Sequence, residues 1–228
     1  MRRLLADRLK AVQERMRDAL VQAHRPEDSA RLVAVTKYQP IELLLELYAL
    51  GVREMGESRV AEALVKMELL PRDISWHLIG TLQQNKVPKV VGNFSYIHSV
   101  DSMDLARKLS AKGEEIKIDI PVFVQVNPLG EMTKHGFSCE GLVDLVGEMS
   151  LLPSLSIRGL MTMAPRLELG EKAVHQTFGR LQELFFDLQS TVFSGASDFR
   201  ELSMGMSQDF EIAIRYGATV IRVGSLLF

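Results

Sequence analysis

Eight short apolar runs recur along the chain, each followed by a segment with helical spacing, and this alternation constrains the fold more than any other feature. The runs are LVAVTK (32–37), REMGES (53–58), SWHLIG (75–80), YIHSVD (96–101), PVFVQVN (121–127), SIRGLMTM (156–163), RELSMG (200–205) and VIRVGS (220–225). Between them lie helical patterns at 41–51, 59–70, 102–113, 139–151, 169–190 and 207–217, and a segment at 82–92 that ends near Gly92. Gly51 closes the first of these helices, and Ser102 or Asp101 is a candidate cap for the third. Strands alternating with helices form a parallel sheet, and eight such units close into a barrel. An open, doubly wound sheet is the rival, and the count of eight disfavours it. The expected fold is therefore an α/β single (β/α)8 TIM barrel with an extra N-terminal helix.

That extra helix reads from Leu5, Leu9, Val12, Met16 and Leu20, which fall on one face. The sequence stops at Phe228, just past strand eight, so the N-terminal helix is expected to cover the gap between strands eight and one. No Pro- or Gly-rich linker interrupts the chain. The expected division is one domain over 1–228, with a helix in 1–25 and eight βα units in 32–225. The 46% hydrophobic and 25% charged content suits a sizeable core and argues against disorder. A net charge of −2 gives no global pull toward nucleic acid or an anionic membrane, so neither is expected as a partner. The single cysteine, Cys139, excludes an internal disulfide framework and suits a reducing compartment. No apolar stretch is long enough to span a bilayer. Asp7, Lys10, Glu14 and Arg15 interrupt the basic start, so it is not a secretory signal. The expected location is cytoplasmic.

In a barrel of this kind chemistry sits at the C-terminal ends of the strands. Strand one ends on Lys37, a strongly hydrated cation where a core strand is expected. Strand seven ends with Ser203 and Gly205 in LSMGMS, and strand eight with Arg222, Gly224 and Ser225. Loops after strands seven and eight commonly bind phosphate, because backbone N–H groups converge there. Gly224 lets the backbone approach an anion closely, and Ser203, Ser207 and Ser225 offer hydroxyl groups. In a closed barrel strand eight lies beside strand one, which sets this phosphate site next to a partly buried Lys37. The pairing suggests a phosphorylated aldehyde held as an imine. The attacking lysine must be neutral, which desolvation and a neighbouring cation favour. Arg222 suits that second role, since its alternation with Ile221 and Val223 points it inward. A phosphosugar, as in aldolases, and pyridoxal 5′-phosphate (PLP) both fit. Schiff-base aldolases usually carry the lysine on a later strand, and SIRGLMTM offers none.

Each motif alone has an ordinary structural reading. A lysine at a strand end is more often a solvated edge residue, SMGMS more often core filling, and RVGS an ordinary turn. Their convergence is the signal. His77 and His98 fall on neighbouring strands, but without a cysteine or a His-x-x-x-His helix they read as satisfied core histidines, and no metal site is expected. His24, His135 and His175 read as surface residues and Cys139 as half-buried. Lys134, His135 and Gly136 read as a rim after strand five, and Asn127 as either a pocket residue or a loop tie.

AVTK, MGES, WHLIGTLQQNK, IHSVDS, VQVN, IRGLMTM, LSMGMSQDFEIAI and ATVIRVGS, in this order, resemble the YggS/PROSC family of pyridoxal-phosphate homeostasis proteins. The resemblance runs from about residue 30 to the last residue. It implies a fold type III PLP barrel similar to the barrel domain of alanine racemase. It implies that Lys37 carries PLP as a Schiff base, that Ser203, Gly224 and Ser225 hold the phosphate, and that Arg222 faces the pyridine nitrogen. Ser58 stands where the family usually has Asn, Arg59 where an aromatic is common, and Thr81 where His is frequent. PLP chemistry normally needs a carboxylate to keep the ring protonated, and Arg222 cannot accept a proton. The resembling racemases take a second base, a tyrosine, from an additional β domain, for which this sequence shows no counterpart. The expectation is a PLP carrier or buffer without catalysis, a monomer that serves apo-enzymes. The alternative is a racemase-type amino-acid enzyme.

Overall fold

In a computed structural model that describes residues 2–131 and 134–228, the eight runs form parallel strands closed in chain order. The strands are β1 (Arg31–Val35), β2 (Glu54–Glu57), β3 (Ser75–Leu78), β4 (Tyr96–Val100), β5 (Ile120–Gln125), β6 (Leu155–Met161), β7 (Glu201–Ser203) and β8 (Val220–Val223). Closure is made by β1 on β8, from Arg31 opposite Val220 to Ala34 opposite Val223. The helices are α1 (Arg2–Gln22), α2 (Ile41–Ala49), α3 (Val60–Leu69), α4 (Val87–Val90), α5 (Met103–Ile116), α6 (Leu142–Ser150), α7 (Glu171–Ser190) and α8 (Phe210–Arg215). In the loop expected near 128–137, Met132 and Thr133 lie outside the described residues. The apolar stripe of α1 is buried from Leu5 to Leu20. This helix packs over α8 and α2, where Arg15 Nε donates to Glu211 at 2.7 Å, so it does cover the β8–β1 seam.

Strand alternation divides the core in two. Outward residues such as Ala34, Met55, Leu78, Ile97, Leu202 and Ile221 meet the helices in one continuous cluster. Inside the barrel Val33, Phe123, Met161 and Val220 form a second, smaller cluster with Tyr96 against it. Other interior positions are polar: His77, His98, Ser203 and Arg222 are all buried. An interior filled partly by hydrogen-bonding side chains is costly unless every group is paired.

Four local readings are refined. Helix α5 passes through Gly113 and ends three residues later, with Lys117 in the left-handed region at φ 58°. Gly113 is there for close approach: a Cβ would stand 2.8 Å from Ser154 Cβ and 2.9 Å from the Ile118 carbonyl oxygen. Ser102, not Asp101, is the cap, its hydroxyl accepting from Leu105 N at 3.3 Å. The 82–92 segment is a 3-10 turn (Gln84–Lys86) followed by α4, with Pro88 in its first turn. Finally β1 stops at Val35, so Lys37 lies two residues beyond it.

Candidate functional site

A cavity of about 590 Å³ opens at the C-terminal end of the barrel, within the usual range for small-ligand pockets. Lys37, Gln125, Asp209, Arg222, Gly224 and Ser225 are among the residues that line it. Four of the five anticipated site residues are thus brought together. Lys37 is exposed at the rim, not partly buried as its apolar run suggests, because the chain has left the sheet before reaching it. Ser225 is also exposed, Gly224 is half-buried, and Arg222 is buried.

Ser203 is the exception. It does not line the cavity; its side chain is wholly buried one layer deeper. Its hydroxyl accepts from Arg222 Nη1 and lies 2.8 Å from His98 Nδ1. Ser207, four residues on, does line the cavity, and Gly224 N donates to its hydroxyl at 3.2 Å. The hydroxyl and backbone N–H groups at the mouth are therefore those of Ser207, Gly224 and Ser225. A Cβ at Gly224 would come within 3.3 Å of Val35 Cβ, so glycine keeps the backbone clear beside the end of β1. Asp209, which the sequence reading passed over, fastens the turn: its carboxylate accepts from Met206 N at 2.6 Å. Its pKa is raised by burial against the opposing backbone hydrogen bonds and the charge of Arg222.

Below the cavity a file of hydrogen bonds runs through the barrel. Arg222 bonds Ser203, Ser203 bonds His98, His98 Nε2 meets His77 Nδ1 at 2.8 Å, and His77 Nε2 meets the Glu54 carboxylate. Arg222 Nη2 also donates to the Thr162 carbonyl oxygen at 2.8 Å. Glu54 is the first residue of β2, at the opposite end of the barrel from the cavity, where Arg31 pairs with Glu54 and Glu201. The rings are packed as well as bonded: His77 stacks on Tyr96 and His98 on Phe123. The two histidines are indeed satisfied core residues. Among the described residues no group of three or more His, Cys, Asp or Glu side chains is placed to hold a metal ion. Burial brings Arg222 down to about 10, against the opposing pull of Asp209.

Behind β1 and β2 a second polar cluster faces the helices. Lys66 Nζ, on α3, donates to the Thr36 carbonyl oxygen at 2.8 Å and to Glu57 Oε1 at 2.6 Å. Thr36 Oγ1 donates to the same carboxylate oxygen at 2.7 Å. Lys66 therefore grips the peptide group that joins Thr36 to Lys37. Asn127 is a loop tie and not a pocket residue, bonding the Glu131 carbonyl oxygen at 2.8 Å. Lys134 is held at the rim by Glu131 at 2.6 Å and the Met163 carbonyl oxygen at 3.1 Å.

Burial lowers the pKa of both interior histidines. His98 is driven furthest, by burial and then by the charges around His77, Arg222 and Arg31. For His77 burial outweighs the support of Glu54. Each histidine is neutral when folded and protonates in the unfolded chain below its ordinary value of 6.5. Stability is therefore complete above about pH 6.5 and falls as the pH drops through it. At one unit below that value the loss is at most about 1.4 kcal/mol for a histidine that stays neutral in the fold. Chemical unfolding at pH 7.5 and 5.5 measures it, with His98→Gln as reference because Asp209 titrates in both proteins. The parent chain is expected to lose more than the variant over this interval, by up to about 1.4 kcal/mol; parallel losses would refute the assignment.

A family model described as alanine racemase, N-terminal domain, matches residues 8–228. The chain is 41% identical over 223 residues to a pyridoxal phosphate homeostasis protein of Aquifex aeolicus, covering 97% of this chain and 96% of that one. It is 43% identical over 203 residues to a protein of the same name from Synechocystis, covering 88% and 91%. Among solved structures it is similar to PipY of Synechococcus elongatus, described with PLP bound, at 35% identity and a TM-score of 0.81 over 98% of this chain and 99% of that one.

Proposed function

The chain belongs to the family of pyridoxal phosphate homeostasis proteins, and from that premise we propose that it binds PLP in the cavity at the C-terminal end of the barrel and acts as a carrier or buffer in intracellular PLP homeostasis. The observation that carries this reading is the meeting of Lys37 with Gly224 and Ser225 in one cavity, above a buried arginine. Lys37 supplies the amine that condenses with the aldehyde, releasing water and forming a Schiff base. Ser207 and the Gly224–Ser225 backbone receive the phosphate. Arg222 presents its guanidinium to the ring nitrogen.

When bound, the cofactor supplies an electron sink for carbanion chemistry, and that sink is strong only when the ring nitrogen is protonated. The residues here do not maintain that proton. Arg222 donates to Ser203 and Thr162 and has no lone pair to accept with. None of the four tyrosines lines the cavity. Tyr38, which follows Lys37, turns outward at φ 65° and lies under Arg59. No tyrosine is therefore poised as a second base, and the non-catalytic reading is preferred over a racemase-type enzyme. Among the described residues no helix is long and apolar enough to cross a membrane. A cytoplasmic location, a monomeric state and apo-enzymes as recipients of PLP belong to the same proposal.

The test is solvent deuterium exchange into L-alanine by protein saturated with PLP. Exchange close to that of free PLP is the expected result. Turnover near the typical enzyme value of roughly 10 per second, lost in Lys37→Ala, would make this a racemase-like enzyme. Reactivation of an apo-enzyme by the loaded protein tests delivery.

A further inference from the structure

We propose that His98 and His77 are positioning residues for the ring-nitrogen side of the cavity, holding Ser203 as the acceptor for Arg222 through a one-directional chain of hydrogen bonds that ends on Glu54 at the far end of the barrel. The proposal rests on the PLP reading of the cavity, but the chain itself is a property of the unliganded protein.

The direction follows from its two ends. Arg222 has donors and no acceptor, and an ionised Glu54 has acceptors and no donor. Ser203 accepts from Arg222, so its single hydroxyl proton turns to His98 Nδ1. His98 Nδ1 is then the bare nitrogen, and its Nε2–H donates to His77 Nδ1. His77 Nδ1 is bare in turn, and its Nε2–H donates to Glu54. Every donor finds an acceptor and both rings are neutral Nε2–H tautomers. The reverse arrangement puts Nδ1–H on both rings. It leaves the Ser203 proton without a partner and sets the bare His77 Nε2 against the Glu54 carboxylate.

The surroundings favour the same assignment. His77 faces Glu54 from β2, Arg31 from β1, Glu201 from β7, and Tyr96 and His98 from β4. His98 faces His77 from β3, Ser203 from β7, Arg222 from β8 and the Phe123 ring from β5. Burial opposes ionisation at Glu54, but the hydrogen bond from His77 and the charge of Arg31 outweigh it and keep its pKa low, so the accepting end stays ionised. At the cavity end Ser203 and the Thr162 carbonyl hold two of the guanidinium nitrogens. Arg222 then meets a ligand in one orientation set by the chain. Without the histidines, Ser203 rotates freely and that orientation is lost.

Two measurements test this. Nitrogen-15 spectra of the histidines in the unliganded parent protein are expected to show both rings as neutral Nε2–H tautomers between pH 6 and 8; an Nδ1–H tautomer on either ring overturns the proposal. In the second, PLP is titrated into His98→Leu, Ser203→Ala, their double variant and His98→Gln. Each single truncation is expected to weaken PLP roughly tenfold and to move the absorption maximum of the bound cofactor, which follows the charge at its ring. The double variant should be no weaker than either single, because both break one chain. His98→Gln, which keeps an acceptor and a donor, should restore affinity and spectrum. Parent-like affinity and spectrum in the folded truncations, or additive losses in the double variant, would overturn it. If His98→Leu does not fold, Ser203→Ala and the tautomers still decide. If the parent protein binds no PLP, the proposed function fails, and the tautomers alone judge the chain.

Discussion

Replacing Lys37 by alanine is expected to abolish the visible imine absorption of a PLP-saturated sample and to leave no adduct after borohydride reduction. Lys37 is the lysine that lines the cavity, and it stands beside Gly224 and Ser225. The other lysines near this end of the barrel are occupied or remote. Lys134 is bound to Glu131 and the Met163 carbonyl, and Lys66 is committed to Glu57 and Thr36. Lys37 is exposed, so its truncation should change stability by no more than about 0.5 kcal/mol. The variant is therefore a folded protein that lacks only the covalent attachment. It retains the phosphate donors and is expected to bind PLP weakly and reversibly. Mapping the reduced parent adduct to Lys86, Lys89 or Lys134 would refute the assignment.

The second large effect is on stability. Lys66→Ala is expected to destabilise the fold by about 3–5 kcal/mol, the usual consequence of removing one partner from a buried ion pair. Lys66 and Glu57 are both buried between β2 and α3, and Glu57 Oε2 has no hydrogen-bond partner among the described residues. Without the ammonium, the carboxylate keeps only Thr36. Such a loss is a large share of a domain stability of roughly 5–15 kcal/mol. The double variant Lys66→Met with Glu57→Leu should recover most of it, since an apolar pair is often as stable as the ion pair it replaces. Urea unfolding at pH 7.5 measures both. A midpoint for Lys66→Ala equal to that of the parent would show that the pair contributes nothing.

Much of this was legible from periodicity. Strand bodies such as Leu32–Val35 and Val220–Val223 carry the outward apolar residues that any barrel strand needs, so their number and order could be read directly. Lys37, Arg222, Gly224 and Ser225 could be placed because they sit at strand ends, where position along the chain fixes position in the barrel. Ser203 was misplaced for the same reason. It ends β7, but the turn from Met204 to Asp209 extends the wall and carries Ser207 to the mouth instead. Glu57 and Lys66 left no sequence signal, because their meeting depends on how α3 docks on β2. The partnership of His77 with His98 was visible only as adjacency, since the tautomers follow from Arg222 and Glu54, far away in sequence.

The exposed seat of Lys37 has a consequence for traffic. Its amine is wet, while Ser207 and Gly224 are fastened to the ends of β7 and β8 and to a turn held by Asp209. On the proposed reading, water reaches the covalent link from bulk solvent without a lid swinging or a domain parting. Loading and unloading would then use one open berth, with the phosphate held at the strand ends and the covalent link beside it within reach of the surrounding water.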